Sequence, residues 1–209
     1  LDGTITPEQY PYYLSVVSDE TKRLTRLTKT LLDISELESD AEEFAPESYD
    51  ICESIRRALL TFESHIISKE LKLKINLPEE EVYVYADKDA IHRVIYNLID
   101  NAIKFSYNSG MLTITAKKDA KNAIISIRNT GVGISQEDLP FIFDRFFKSD
   151  KSRGLDKKGM GLGLYIAKAI VEKQGGTIRA ESTENEFCEI SFTLPLSVTA
   201  DKGGKRHEQ

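Results

Sequence analysis

Three polar or glycine-bearing segments interrupt the apolar pattern of this chain, and any fold it adopts has to place them. They read Asn97-Leu-Ile-Asp-Asn101-Ala-Ile-Lys104, then Asn129-Thr-Gly131-Val-Gly133-Ile134, then Gly159-Met-Gly161-Leu162-Gly163-Leu164. The first lies on a helical pattern. Ile91, Ile95, Leu98 and Ala102 supply an apolar face, while Asn97, Asn101 and Lys104 follow one another about a turn apart on a different face. The second comes directly after a strand pattern, where glycine permits positive φ and close backbone approach. The third opens a helix, where amides without side chains in the way make a site for anions. It has neither the lysine and strand–loop–helix setting of a P-loop nor the pattern of a dinucleotide-binding turn.

Each segment alone has a plain structural reading: a polar helix face, a turn at a sheet edge, a helix start. Their order suggests more. Carboxamides on the buried side of a helix are costly without partners. A carboxamide oxygen suits hydrated Mg2+, which keeps most of its waters and takes few protein ligands. Lys104 suits phosphate oxygens. Between the two glycine clusters runs Phe141-Ile-Phe143-Asp-Arg145-Phe-Phe147-Lys148, followed by Lys151, Arg153, Lys157 and Lys158. From Arg145 to Lys158 there are six cations and two acids in a chain whose net charge is -6. Such a run is usually a solvated face. Beside a phosphate site it reads as a lid that positions phosphate and excludes water, anchored by its phenylalanines. Together the segments describe a pocket for Mg-ATP.

The remainder of the 209 residues accommodates one domain plus an extra element. Residues 11–39 read as one long helix. Val17, Leu24 and Leu31, interleaved with Leu27 and Ile34, give the alternating spacing of a helix-packing seam, interrupted by Glu20 and Glu38. Thr6-Pro7-Glu8-Gln9 resembles a helix start, while Pro11 argues for a start near residue 11. The stripe needs a partner, either another helix or the rest of the chain. An acidic stretch from Glu36 to Glu43 leads to a boundary near residues 40–46. Beyond it the pattern predicts a short strand and then a helix to Phe62. Half-buried strands follow at Leu71–Ile75 and Val82–Val84, and then a helix capped by Asp87. Strands at Met111–Lys117 and Ala123–Asn129 lead to a long loop, a helix over Gly161–Gln174, and strands at Thr177–Ser182 and Phe187–Leu194. This is an α+β mixed sheet covered by helices on one face. Cys52 and Cys188 are far apart in apolar-patterned segments and read as core residues in a reducing compartment. No apolar run approaches a membrane span, and the acidic balance argues against nucleic-acid binding.

With these residues in place, the chain resembles the dimerisation-helix and ATP-binding part of a bacterial sensor histidine kinase. The family's ATPase fold is the two-layer α/β sandwich shared with gyrase, Hsp90 and MutL, the Bergerat or GHKL fold. Its N, G1, F and G2 boxes match in order over residues 97–164. Glu20-Thr-Lys-Arg23-Leu24 through Leu31-Leu32-Asp33-Ile34 resembles the second helix of the dimerisation hairpin, and Phe192-Thr-Leu-Pro195 resembles the last strand. The resemblance divides the chain into a partial dimerisation hairpin (1–42), an ATP-binding catalytic domain (43–197) and a disordered tail (198–209). It implies that Asn101 ligates Mg2+, that Asn97 lines the phosphate end of the pocket and that Lys104 contacts phosphate. Phe105 and Ile134 flank the pocket, Gly131 and Gly133 shape the adenine wall, and Gly159, Gly161, Leu162, Gly163 and Leu164 frame the phosphates. Asn97, Arg145 and Lys148 are the implied catalytic residues.

The chain departs from the family in three places. Asn129 stands where the family usually has an aspartate that accepts a hydrogen bond from the adenine amino group; the carboxamide can still accept, without the charge. Lys148 stands where many relatives carry arginine, keeping the charge and losing the planar fork. The acceptor histidine, normally followed by an acid, is missing: His65 and His92 precede Ile66 and Arg93, and His207-Glu208 closes the chain with no helix around it. The chain, which starts without Met, is therefore expected to be a cytoplasmic fragment cut in mid-hairpin, unable to phosphorylate itself. The resemblance further implies a parent anchored in the bacterial membrane, a homodimer through the dimerisation helices and a response-regulator receiver domain as partner. No membrane contact is expected of the fragment. Two alternatives stay open, a non-kinase ATPase module of the same fold and a degenerate ATP-binding scaffold.

Overall fold

The structure is a computed structural model that describes residues 6–38, 44–156 and 159–197. The chain divides into two compact units, Leu1–Glu42 and Glu43–Gln209. The tail beyond residue 197, and Lys157 and Lys158 of the basic loop, lie outside the described residues.

In the first unit, helix α1 spans Tyr10–Glu38 after a single 3-10 turn at Pro7–Gln9. Both start signals operate. The Thr6 amide donates to Gln9 Oε1 at 3.2 Å, and the Gln9 amide donates to the Thr6 carbonyl at 2.9 Å. Pro11 then occupies the second helical position, where no intrahelical acceptor awaits its missing N–H. Val17, Leu24 and Leu31 of the stripe are exposed, as are Tyr12, Leu14 and Leu32. Thr21 and Thr25 turn their hydroxyls back onto the carbonyls of Val17 and Thr21.

The second unit is a mixed sheet under a layer of helices. Strand β1 (Glu47–Asp50) leads into α2 (Ile51–Thr61), because Asp50 accepts from the amides of Cys52 and Glu53 and caps the helix. A six-residue helix, α3 (Glu63–Ser68), follows at once; the pattern up to Phe62 does not signal it. Then come β2 (Lys72–Asn76), β3 (Tyr83–Ala86) and α4 (Lys88–Phe105), the last capped by Asp87 through the Ala90 amide. Strands β4 (Met111–Lys118) and β5 (Asn122–Thr130) form an antiparallel pair. The long loop after β5 carries a short helix, α5 (Asp150–Leu155), before α6 (Gly163–Lys173). Strands β6 (Ile178–Thr183) and β7 (Phe187–Pro195) complete the sheet in the order β2-β4-β5-β7-β6, with β2 and β4 parallel and the other pairs antiparallel. β1 and β3 pair separately, and a bridge from Val84 to Leu196 ties them to the end of β7.

Period-two burial sorts the faces. Leu112, Ile114 and Ala116 of β4, Ala123, Ile125 and Ile127 of β5, and Ile190, Phe192 and Leu194 of β7 are buried. Against them lie Ile91, Ile95, Leu98 and Ile99 of α4 and Ile166, Ala167, Ile170 and Val171 of α6. Each large side chain so buried contributes about 1.5–3 kcal/mol. β2 departs from the half-buried expectation: Leu73 and Ile75 are 40% and 46% exposed. They pair with Leu112 and Ile114, but β2 is the edge strand, where the apolar face of the sheet runs out of cover. Cys52 and Cys188 are free thiols. Burial pushes both up to about 11, so they stay protonated and inert at neutral pH. No described helix is long and apolar enough to cross a membrane.

Candidate nucleotide site

Helix α4 carries the first polar segment across the middle of the unit. Its buried stripe fixes its rotation, and that rotation leaves Asn97 and Asn101 half-buried on the flank. The first residue of α6 comes to the same place: a Cβ on Gly163 would stand 3.9 Å from both Asn97 Cγ and Asn101 Nδ2. Leu162, buried at the helix start, provides no side-chain cap. The start of α6 thus has no cap from its N-cap side chain and lies beside two carboxamides. Leu164 is half-buried in that first turn.

The end of α4 holds the second segment. The Phe105 carbonyl accepts from the Val132 amide at 3.2 Å, and Ser106 bridges to Gly131. Gly131 has to be glycine, since a Cβ there would overlap the Phe105 carbonyl oxygen. On its other flank the Gly131 amide donates to the Glu186 carbonyl, and the Ile134 amide donates to Ser182 Oγ at 2.8 Å. The turn, including Gly133, is therefore clamped between α4 and the β6–β7 hairpin. Asn129, one residue from the end of β5, is 3% exposed, and its Nδ2 has no hydrogen-bond partner.

The third segment is tied to the basic loop. Gly161 adopts φ +71°, as a side chain rarely does, and packs against the backbone at Phe146–Phe147. Lys148 donates to the carbonyls of Asp156 and Gly159. The Arg145 guanidinium lies 4.8 Å over the Tyr165 ring of α6, and Lys168 faces the Phe143 ring at 5.9 Å. Ile142 is buried, and Phe141 and Phe147 contact each other. The aromatic part of the loop is thereby anchored on α6.

Asp156 is a site residue that sequence reasoning missed. Its carboxylate accepts from the Gly159 amide at 2.7 Å and sits 3.7 Å from Lys104, which also binds Asp100 at 2.6 Å. Two groups suited to a phosphate oxygen, an amide of the glycine cluster and the ammonium of Lys104, thus hold a carboxylate instead. The legible signal was local: an aspartate three residues before a glycine is a turn former that bonds backbone ahead of it. Tyr165 under Arg145 and Ser182 under Ile134 carried no signal, because both act across the fold.

These residues fit Mg-ATP. Asn129 Nδ2 is a buried polar atom that the protein leaves without a hydrogen-bond partner, as are Tyr49 Oη and Gln174 Nε2. Among the described residues, no three His, Cys, Asp or Glu side chains gather to hold a metal. A cation here would depend on a carboxamide and on the oxygens of its own ligand, as hydrated Mg2+ does.

Comparison with known proteins agrees with this geometry. Residues 86–198 match the family described as histidine kinase-, DNA gyrase B-, and HSP90-like ATPase. The chain belongs to that family. Within it, the chain is similar to the sensor histidine kinase WalK of Bacillus subtilis (strain 168), 37% identical over 88% of this chain and 30% of that protein. It is also similar to the catalytic domain of the histidine kinase ThkA, with a TM-score of 0.65 and 29% identity over 73% of this chain and 98% of that one. The structure of ThkA in complex with the response regulator protein TrrA matches with a TM-score of 0.72 and 26% identity, over 94% of this chain and 54% of that one. The chain spans about a third of the length of the curated relatives it matches. The kinase resemblance is thus favoured over a non-kinase ATPase or a scaffold.

Proposed function

We propose that this chain is the ATP-binding catalytic portion of a sensor histidine kinase, which phosphorylates a histidine from Mg-ATP and passes the phosphoryl group to an aspartate of a response-regulator receiver domain. The observation that carries the reading is the meeting of Gly163 with Asn97 and Asn101. It sets a helix start whose N-cap residue offers no side-chain acceptor beside two carboxamides. Asn101 holds the cation and Asn97 lines the phosphate end. Lys104, Gly159, Gly161 and the start of α6 receive the phosphates. Asn129, with Phe105, Gly131, Gly133 and Ile134 around it, holds the base. Bound Mg2+ would neutralise phosphate charge. Arg145 and Lys148, on the loop that overlies the glycine cluster, add positive charge where charge moves during transfer.

His65 and His92 are followed by Ile66 and Arg93 instead of the acid that an acceptor needs, and His207, though followed by Glu208, has no helical pattern around it, so none of the three is read as the acceptor. The exposed Val17, Leu24 and Leu31 of the α1 stripe, whose Ile34 is buried, support its role as the second helix of a dimerisation hairpin in a homodimer, and the resemblance makes the parent protein membrane-anchored. An added acceptor hairpin is then the substrate in trans. Incubation with radiolabelled ATP, Mg2+ and such a hairpin is expected to label its histidine, slowly, and Asn101→Ala should abolish the label. No label on the hairpin from a chain that binds ATP would count against the kinase reading.

A further inference from the structure

Asn129 invites a question beyond whether a nucleotide binds: which base the pocket takes. The residue is fixed by its strand. It pairs with Leu112 on one side and Cys188 on the other, both neutral, and points to the helix-covered face. Its charged chain neighbour Arg128 is engaged elsewhere, bonded to Glu189 at 3.2 Å and stacked on Phe187. Gly131 beside it has no side chain, and Asn129 Nδ2 lies 2.8 Å from where a Cβ at 131 would be. A carboxamide whose buried Nδ2 has no hydrogen-bond partner thus sits between neutral strand neighbours.

We infer that Asn129 makes the base pocket tolerant of 6-oxopurine nucleotides as well as ATP. The inference rests on the ATP reading above and deepens it. A carboxylate only accepts hydrogen bonds, so at this position it accepts from the adenine 6-amino group and repels a 6-oxo group. A carboxamide both donates and accepts. Facing adenine, Asn129 Oδ1 accepts from the 6-amino group, as a carboxylate oxygen would. After a half-turn about its last torsion, Nδ2 takes the place of Oδ1 and donates to the 6-oxo group of hypoxanthine or guanine. The half-turn exchanges two atoms of nearly the same size, and it breaks no hydrogen bond of Nδ2.

The test is a set of binding titrations with ATP, ITP and GTP in the presence of Mg2+, on the wild-type chain and on Asn129→Asp. ITP is the primary probe because it differs from ATP only at the purine edge that Asn129 reads. The wild-type chain is expected to bind ITP within about tenfold of ATP. Asn129→Asp should bind ATP more tightly and raise the ATP-over-ITP preference beyond about a hundredfold, the reach of one paired base edge. GTP binding at the ITP level extends the tolerance to guanine; GTP binding far weaker confines it to hypoxanthine and overturns the guanine half. Wild-type binding of ATP with ITP more than about a hundredfold weaker overturns the inference and leaves the ATP site standing. Failure of every nucleotide to bind overturns the ATP reading itself. Should Asn129→Asp not fold, the wild-type ratio of ATP to ITP decides alone.

Discussion

Single residues in this site are held by backbone as much as by chemistry. Gly131 is the clearest case, caught between the Phe105 carbonyl and the Asn129 amide. Gly131→Ala is expected to cost about 1–3 kcal/mol through forced backbone displacement, read from denaturant unfolding. Gly154, in α5, has nothing within 4 Å of its missing Cβ, so Gly154→Ala should be neutral or slightly stabilising. Equal losses for both variants would contradict this account of the turn. At this scale the sequence was informative wherever chemistry is local. The cap at Asp87 and the polar flank of α4 follow from spacing alone, whereas the cap at Asp50 emerges only in the structure. Lys69 shows the limit. Its ammonium donates to the carbonyls of Ile103, Lys104 and Ser106 and closes the end of α4. Those partners lie more than thirty residues away, and no local pattern announces them.

Among the elements, the basic loop is closed on the protein's own groups. Lys148 closes it on its own backbone, and Asp156 occupies Lys104 and the Gly159 amide. A phosphate reaching these groups has to displace that carboxylate. Asp156→Asn keeps the turn to Gly159 and removes the charge facing Lys104. It is expected to tighten ATP binding by up to about fivefold, the worth of a partly screened ion pair. The effect should shrink at high salt. Weaker binding in Asp156→Asn would show that Asp156 supports the bound state instead. The element pattern was mostly legible, since burial in β4, β5, α4 and α6 follows their apolar periods. It failed at β2, because a period reports which face is apolar and not whether a helix reaches it. It also missed α3 and α5, which are too short to show a period.

At the scale of the whole molecule, two surfaces are unmatched. One is the stripe of α1, with Val17, Leu24 and Leu31 exposed over three successive repeats. A helix pairing through this seam would bury it, and a dimer is expected by analytical ultracentrifugation. Leu24→Glu with Leu31→Glu should shift the protein to monomer without changing nucleotide affinity. A monomeric wild-type chain would contradict the pairing. The other is the site itself, assembled from a helix flank, a strand end and a second helix start that lie far apart in sequence. The three segments were legible because they break the apolar periods around them, while Asp156 was not. Nor were the site's internal bonds, because they join segments by tertiary contact.

The central claim is that Asn97, Asn101, Asn129 and the glycine cluster form one Mg-ATP site. Calorimetric titration of ATP into the chain, with and without Mg2+, tests it most directly. The account predicts saturable one-to-one binding that is stronger with Mg2+, with the Mg2+ dependence lost in Asn101→Ala. No saturable binding at millimolar ATP, or binding that ignores both Mg2+ and the Asn101 substitution, would contradict it.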